Sequence, residues 1–194
     1  MDFFLRIATI LLFIVWKTYW KVTEIKADRE KPKTQPEPAF FSTRRLSRNL
    51  FVLVVGFLIL LPLVGVEILP MEYNPLVQLI GFVFVITGIS LSIASRRLLG
   101  TNWANAHEYQ IKHKQILVTT GIYSYIRHPI YTGLILATTG AELVAQSYLF
   151  ILFACFFYMI YRQAKKEEKI LEDHFGKAYI DYKKRSKMLI PFIF

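Results

Sequence analysis

The chain has one cysteine among 194 residues, Cys155, and it lies inside an apolar run. A single cysteine permits no intramolecular disulfide, and there is neither a CxxC pair nor a Cys/His spacing suited to zinc. His107 and His113 stand close together, but no Cys, Asp or Glu flanks them at ligand spacing, so no metal centre is expected. Also missing are a GxGxxG after a strand, a Walker loop, an HExxH helix and a GxSxG elbow, each the mark of a well-defined chemistry. Acidic residues are scarce, 14 against 24 Lys and Arg, which leaves a formal net charge of +10. Nucleic-acid binding is one use of such an excess, but here the charges alternate with long apolar blocks and form no separate basic domain. The N-terminus lacks the basic region and small-residue cleavage site of a signal peptide. With Asp2 and Arg6 at one end and "WKTYWK" at the other, it reads as a retained helix.

What is abundant is apolar sequence. Hydrophobic residues make up 54% of the chain, and the mean hydropathy is +0.37. Apolar content combined with basic charge implies spans joined by basic, membrane-facing loops. A spanning helix needs about 20 largely apolar residues, and segments 3–20, 48–69 and 75–95 qualify. Trp16, Tyr19 and Trp20 between Lys17 and Lys21 have the composition of an interface anchor. Pro62 is expected to kink the second helix. The fourth apolar block, 129–161, is too long for one helix. "GAELVAQS" (140–147) interrupts it with Glu142 and Gln146, which predicts a helical hairpin turning there.

These readings give an all-α integral membrane protein with about five transmembrane helices, the last two a hairpin. Residues 1–98 form the N-terminal helices and their basic loop; for residues 99–194 a family resemblance, carried by 110–191, implies a cytoplasmic cofactor-binding, catalytic region. Lys and Arg concentrate in 21–48, 96–127 and 162–187 and are absent from the turns at 66–74 and 140–147. The positive-inside rule then puts the N-terminus outside and the C-terminus in the cytoplasm.

Two inner segments are the least like ordinary loops. In "YSYIRHPIYTG" (123–133), Pro129 suits a helix's first turn and holds His128 at its mouth, with Tyr131 about one turn inside. That mouth favours an anion. Gly133 permits close approach of a ligand or another backbone. The same residues also read as a plain helix start with interface aromatics and a snorkelling arginine. In "YRQAKKEEKILEDHFGKAYIDYKKR" (161–185), the adjacent carboxylates Glu167 and Glu168 run against the basic trend. They either pair with neighbouring lysines or bind a ligand. Ile170, Leu171, Phe175, Tyr179 and Tyr182 fall on roughly one helical face, interrupted by Gly176. The tail "MLIPFIF" (188–194) is expected to rest in the membrane interface.

"ILVTTGIYSYIRHPIYTG", followed after a hydrophobic hairpin by "EEKILEDHFGKAYIDYKKRSKMLIPF", resembles the isoprenylcysteine carboxyl methyltransferase family. These integral-membrane enzymes use S-adenosylmethionine and are related to phospholipid N-methyltransferases. The resemblance covers residues 110–191 and implies a cofactor held by Gln115, Ile116, Leu117 and Val118, with Tyr123, His128, Pro129, Ile130, Tyr131 and Glu167. Gln115 stands where the family often has a histidine, and His113 is the nearby candidate to replace it. Gln163 stands where eukaryotic members have an arginine four residues before the glutamate, and Arg162 is adjacent. The implied reaction is methylation of a lipid-linked acceptor, the carboxylate of a prenylated cysteine, with Arg162, Arg127 and Glu167 as the catalytic candidates. The implied partners are that acceptor, entering from the membrane, and membrane lipids, without nucleic acid. Three rival readings stay open. One is an amine-methylating phospholipid methyltransferase with Glu168 or Glu142 as base. Another is an NADPH-dependent sterol-type reductase. The last is a small transporter or scaffold built around Glu142.

Overall fold

The computed structural model describes residues 2–29, 43–102, 116–151 and 153–191, and those residues form helices and turns with no strand. The six α-helices are α1 (Asp2–Arg29), α2 (Thr43–Leu63), α3 (Pro75–Leu99), α4 (Pro129–Val144), α5 (Phe153–Phe175) and α6 (Lys177–Arg185). Three single 3-10 turns, at Gly100–Asn102, Gly121–Ser124 and Tyr148–Ile151, punctuate the connections. The chain clusters into two compact units, residues 1–82 with 140–149, and residues 83–139 with 150–194.

Two helical stretches, Asp2–Lys26 and Pro75–Leu99, are long and apolar enough to cross a membrane. Only 11% of the most apolar window of the first is buried within the protein, and 33% of the second. Phe3, Phe4, Leu11, Ile14 and Val15 are exposed on α1. Helices this apolar and this open require an apolar surrounding, which a membrane supplies. The shorter apolar stretch of α2 is Leu53–Leu63. Instead of kinking α2, Pro62 stands one residue before its end.

In the first unit, α1 and α2 pack together. Arg6 ties three pieces, donating from Nε to Asp2 at 2.8 Å, from Nη1 to the Pro62 carbonyl at 2.7 Å and from Nη2 to the Ala145 carbonyl at 3.2 Å. It is therefore a bound structural group as well as a charge near a helix end. The Gln78 amide donates to Asp2 and, at 3.0 Å, to the Val144 carbonyl.

The turn after α4 falls in the second half of 140–147, within the stretch expected to reverse the chain. Glu142 is fully buried inside the last turn of the helix. The reversal is made by Gln146, whose φ of 57° leaves the helical region. Its side chain accepts from Asn74 N at 2.9 Å and donates to the Leu143 carbonyl at 3.0 Å. A glutamine can satisfy those backbone groups from a left-handed position, which is why the chain turns there.

In the second unit, α3 and α4 approach closely through paired glycines. A Cβ on Gly88 would stand 2.5 Å from the Gly133 carbonyl oxygen, and a Cβ on Gly133 2.5 Å from the Gly88 carbonyl oxygen. Of the two uses open to Gly133, the structure shows close approach of a backbone. Small residues let helix backbones meet in this way where lipid provides no hydrophobic drive between helices. α5 then continues without a break from its apolar start to Phe175. Gly176, with φ at 53°, ends it and turns the chain into α6, which packs back on α5.

Of the tail expected in the interface, 192–194 lie outside the described residues and Ile190 and Pro191 are exposed, whereas Met188 and Leu189 depart from that place. Met188 and Leu189 are buried, packed with Ile160 and Ala164 of α5 and with Tyr131, Leu134 and Ile135 of α4. This apolar pair finds in the groove the same dry surroundings that lipid would give, and its backbone is paired as well. The Leu189 carbonyl accepts from Thr132 Oγ1 at 2.6 Å.

Gly88→Ala and Gly133→Ala should each destabilise the protein by about 1–3 kcal/mol, the usual cost of overpacking. Gly56→Ala, with nothing within 4 Å of the added carbon, should be neutral. Equilibrium unfolding in mixed micelles would check all three.

Candidate active site

The site grows from the segment between the second 3-10 turn and α4. Tyr123 is buried, and its hydroxyl donates to the Ser95 carbonyl at 3.4 Å. Its own carbonyl accepts from the Tyr182 hydroxyl at 2.6 Å. Burial pushes the Tyr123 hydroxyl far up from its ordinary value and the Tyr182 hydroxyl up to about 12. Both therefore stay protonated and donate. Beyond them the backbone of 125–128 runs beside the C-terminal segment. Lys187 N donates to the Tyr125 carbonyl at 2.9 Å, Arg127 N to the Lys187 carbonyl at 2.8 Å and His128 N to the Met188 carbonyl at 3.0 Å. His128 thus enters α4 with its backbone already fixed, and the fully buried Pro129 occupies the first helical position, where no N–H is needed.

The side chains then meet α5. Arg127 Nε donates to Glu168 Oε1 at 2.6 Å, and its Nη1 donates to the Ser186 carbonyl and, at 3.3 Å, to the Lys183 carbonyl. Lys183 Nζ adds an ion pair to Glu168 Oε2 at 3.3 Å. The His128 ring lies between the two carboxylates, with Nδ1 3.6 Å from Glu167 Oε2 and Nε2 3.6 Å from Glu168 Oε1. Those separations are longer than a hydrogen bond, and the buried Nε2 has no hydrogen-bond partner among the described residues. Tyr131 faces the imidazole in a near-parallel stack, centroids 5.5 Å apart, and its hydroxyl donates to Glu167. Gln163, one turn before Glu167 on α5, donates to Glu167 Oε1 at 3.0 Å.

Glu167 and Glu168 differ sharply. The Glu168 side chain is 2% exposed, the Glu167 side chain 23%. Burial is the largest single influence on Glu168 and opposes its charge. The adjacent His128 imidazole and the Arg127 guanidinium together outweigh it and hold the carboxyl down to about 2. Glu168 is a committed structural anion and a poor base. Glu167 keeps an accessible edge.

The structure therefore brings together Arg127, His128, Tyr131 and Glu167, with Pro129 and Ile130 opening the helix that carries them. Ile116 is exposed, and Leu117 and Val118 are half-buried on the approach to the 3-10 turn. His113 and Gln115 lie outside the described residues. Arg162 is not part of the cluster. It is exposed on α5 and sits over the Tyr158 ring, 6.0 Å from its centroid. Glu142 belongs to the other compact unit. Sequence reasoning missed Gln163 as a partner of Glu167, although an i, i+4 spacing on one helix was a signal. It also missed the lacing of 125–128 to 187–188, for which the sequence offers no local sign.

An all-helical, membrane-associated protein with a polar site at the start of one helix and partway along another is the class these features define. The chain belongs to the phospholipid methyltransferase family, whose model matches residues 76–178, just over half of its length. It is similar to the protein-S-isoprenylcysteine O-methyltransferase of Mus musculus, 30% identical over 115 residues, 58% of this chain and 41% of that protein. The protein of the same name from Saccharomyces cerevisiae is 28% identical over 122 residues, 61% of this chain and 50% of that one. The structure of a eukaryotic intramembrane Ras methyltransferase, an isoprenylcysteine carboxyl methyltransferase, superposes with a TM-score of 0.61 at 19% identity, over 95% of this chain and 68% of that one. The chain spans about two fifths of the length of its mouse relative. The family resemblance carried by the two inner segments holds, and so does the all-helical membrane fold.

Because Glu168 titrates below the ordinary glutamate value of 4.5, its contribution to stability is complete above that pH and is lost as pH falls from 4.5 toward 2. The gap corresponds to about 3 kcal/mol. Thermal unfolding followed between pH 7 and 3 should show this acid loss in the wild type. Glu168→Gln should be destabilised already at pH 7 and show a shallower pH dependence below 4.5.

Proposed function

We propose that this protein transfers a methyl group from S-adenosylmethionine to a lipid-linked acceptor, the carboxylate of a prenylated cysteine. The observation that carries the reading is the convergence of His128, Tyr131 and Glu167 from the two segments that resemble the isoprenylcysteine carboxyl methyltransferases. Family membership and the names of the aligned relatives support it. In this reading the chain crosses the membrane about five times, with its N-terminus outside and the site on the cytoplasmic side.

The cluster fits the cofactor. A buried, unpartnered His128 Nε2, an accessible edge of Glu167 and the Tyr131 ring offer polar and aromatic contacts to a cationic, adenosine-bearing molecule. Ile116, Leu117, Val118 and Tyr123 would complete its pocket, together with His113 and Gln115. When bound, the cofactor supplies an electrophilic methyl group on a sulfonium. A carboxylate acceptor is already ionised at neutral pH, so no residue has to remove a proton, and the chain's main task is positioning. Glu167 holds cationic charge near the reacting centre, while Tyr131 and Gln163 hold Glu167. Arg127, saturated by Glu168 and backbone carbonyls, is a positioning residue. Of the two candidate arginines Arg162 is the exposed one, and we assign it the orientation of the acceptor carboxylate.

A second reading, an amine acceptor on a phospholipid, has one observation in its favour. Gln163, neutral and bonded to Glu167, stands where eukaryotic relatives are expected to carry an arginine. An ammonium must lose a proton before it attacks, and Glu167, rather than Glu168, would be the group placed to take it.

Calorimetric titration of the detergent-solubilised protein with S-adenosylmethionine and S-adenosylhomocysteine should give saturable binding, weakened at least about tenfold by His128→Ala and by Glu167→Ala. A folded wild type that binds neither, but binds NADPH, would replace the methyltransferase reading with the reductase. Turnover of prenylcysteine analogues but not aminophospholipids is the expected acceptor pattern. Arg162→Ala should raise KM for the acceptor several-fold and leave cofactor affinity unchanged. An unaltered KM would remove Arg162 from the mechanism.

A further inference from the structure

Beside the candidate site, in the same compact unit, lies a cavity of about 300 Å3, the small end of the range that ligand sites occupy. Its walls include Arg127, Lys165, Lys183, Lys184 and Lys187 with Tyr161, and no acidic side chain. The nearby acids are already engaged. Glu168 pairs with Arg127 and Lys183, Glu172 with Lys183, and Asp181 with Lys184 at 2.9 Å. Five cations against three acids leave an uncompensated positive surplus around an open space. Lys165, Lys184 and Lys187 are exposed. These lysines are also not on a loose tail. Lys187 is held by backbone hydrogen bonds on both sides, and Lys184 belongs to α6.

We propose that this cavity binds the phosphate of an anionic phospholipid headgroup. The mechanism proposed above does not use it. Its level along α5 favours a lipid over a soluble anion. Tyr161 closes the apolar run of α5 and Lys165 follows one turn later, while Tyr158, Met159 and Ile190 are exposed beside them. Aromatic and apolar residues ending in a ring of lysines match the change from acyl chain to headgroup. Lysine donors satisfy phosphate as point charges, and basic residues at this depth draw anionic lipids within a Debye length.

Full-length protein released from mixed phosphatidylglycerol and phosphatidylcholine membranes, and read by native mass spectrometry, tests this without requiring turnover. The outcome is therefore independent of the methyltransfer reading. The wild type should retain phosphatidylglycerol in preference. The triple variant Lys165→Gln, Lys184→Gln, Lys187→Gln should lose that preference at least about tenfold. The variant Lys17→Gln, Lys21→Gln, Lys26→Gln, which removes the same charge from α1, should keep it. Absence of preference in the wild type, or equal loss in both variants, would overturn the site. Displacement of the lipid by glycerol phosphate at an equal concentration would make it a soluble-phosphate site instead. Displacement by an acidic peptide at a lower concentration would make it a protein-binding one.

Discussion

One buried ion pair organises the second compact unit. Arg127 and Glu168 meet at 2.6 Å with their side chains 8% and 2% exposed. Taking both charges out of water costs several kcal/mol per ion, and only excellent geometry with further hydrogen bonds recovers it. Arg127 has that geometry. Its guanidinium binds the carboxylate through one nitrogen and the carbonyls of Lys183 and Ser186 through another. A planar fork with five donors can do this, and a lysine cannot. A single side chain therefore joins the step into α4, the middle of α5 and the end of α6.

Fixing Glu168 fixes its neighbour. Adjacent residues on an α-helix point about 100° apart, so once Glu168 is turned inward, Glu167 is set toward His128 and Tyr131. The two carboxylates then divide their tasks by environment. One is sealed, ionised and structural. The other is hydrogen-bonded on one oxygen by Tyr131 and Gln163 and open at its edge. His128 lies between them, and its position depends on both. A group that is held from behind and open in front is what a positioning mechanism needs.

The sequence made some of this visible and hid the rest for definable reasons. The helices at 2–29 and 75–99 were legible because a long apolar run bounded by charge has one economical structure in a membrane. The start of α4 was legible because Pro129 suits a first helical position and little else. Glu142 and Gln146 were harder. Both are polar in an apolar block, but only Gln146 satisfies backbone groups of the 68–74 connection from a left-handed position, a long-range fact. Met188 and Leu189 show the opposite failure. An apolar segment reports that it avoids water, but not whether lipid or protein covers it. Gly133 was ambiguous in the same way, since close approach was evident and its partner was a glycine 45 positions earlier in the chain. The Arg127–Glu168 pair joins residues 41 apart, and local charge patterning offered lysines as equally good partners for that glutamate.

The continuity of α5 explains why the site stands where it does. Its residues near Tyr161 face apolar partners, and Glu168 lies seven positions later, about 10 Å along the axis. Across that distance the helix passes from residues suited to acyl chains to a clamped anion with an open carboxylate beside it. In the proposed reaction the donor is dissolved in water and the acceptor is anchored by lipid, and this level is where their reactive ends would coincide. A break between Tyr161 and Glu168 would have uncoupled the apolar turns from the carboxylates. An unbroken helix, locked by the ion pair at one end and by Met188 and Leu189 packed against its apolar turns, keeps them in register.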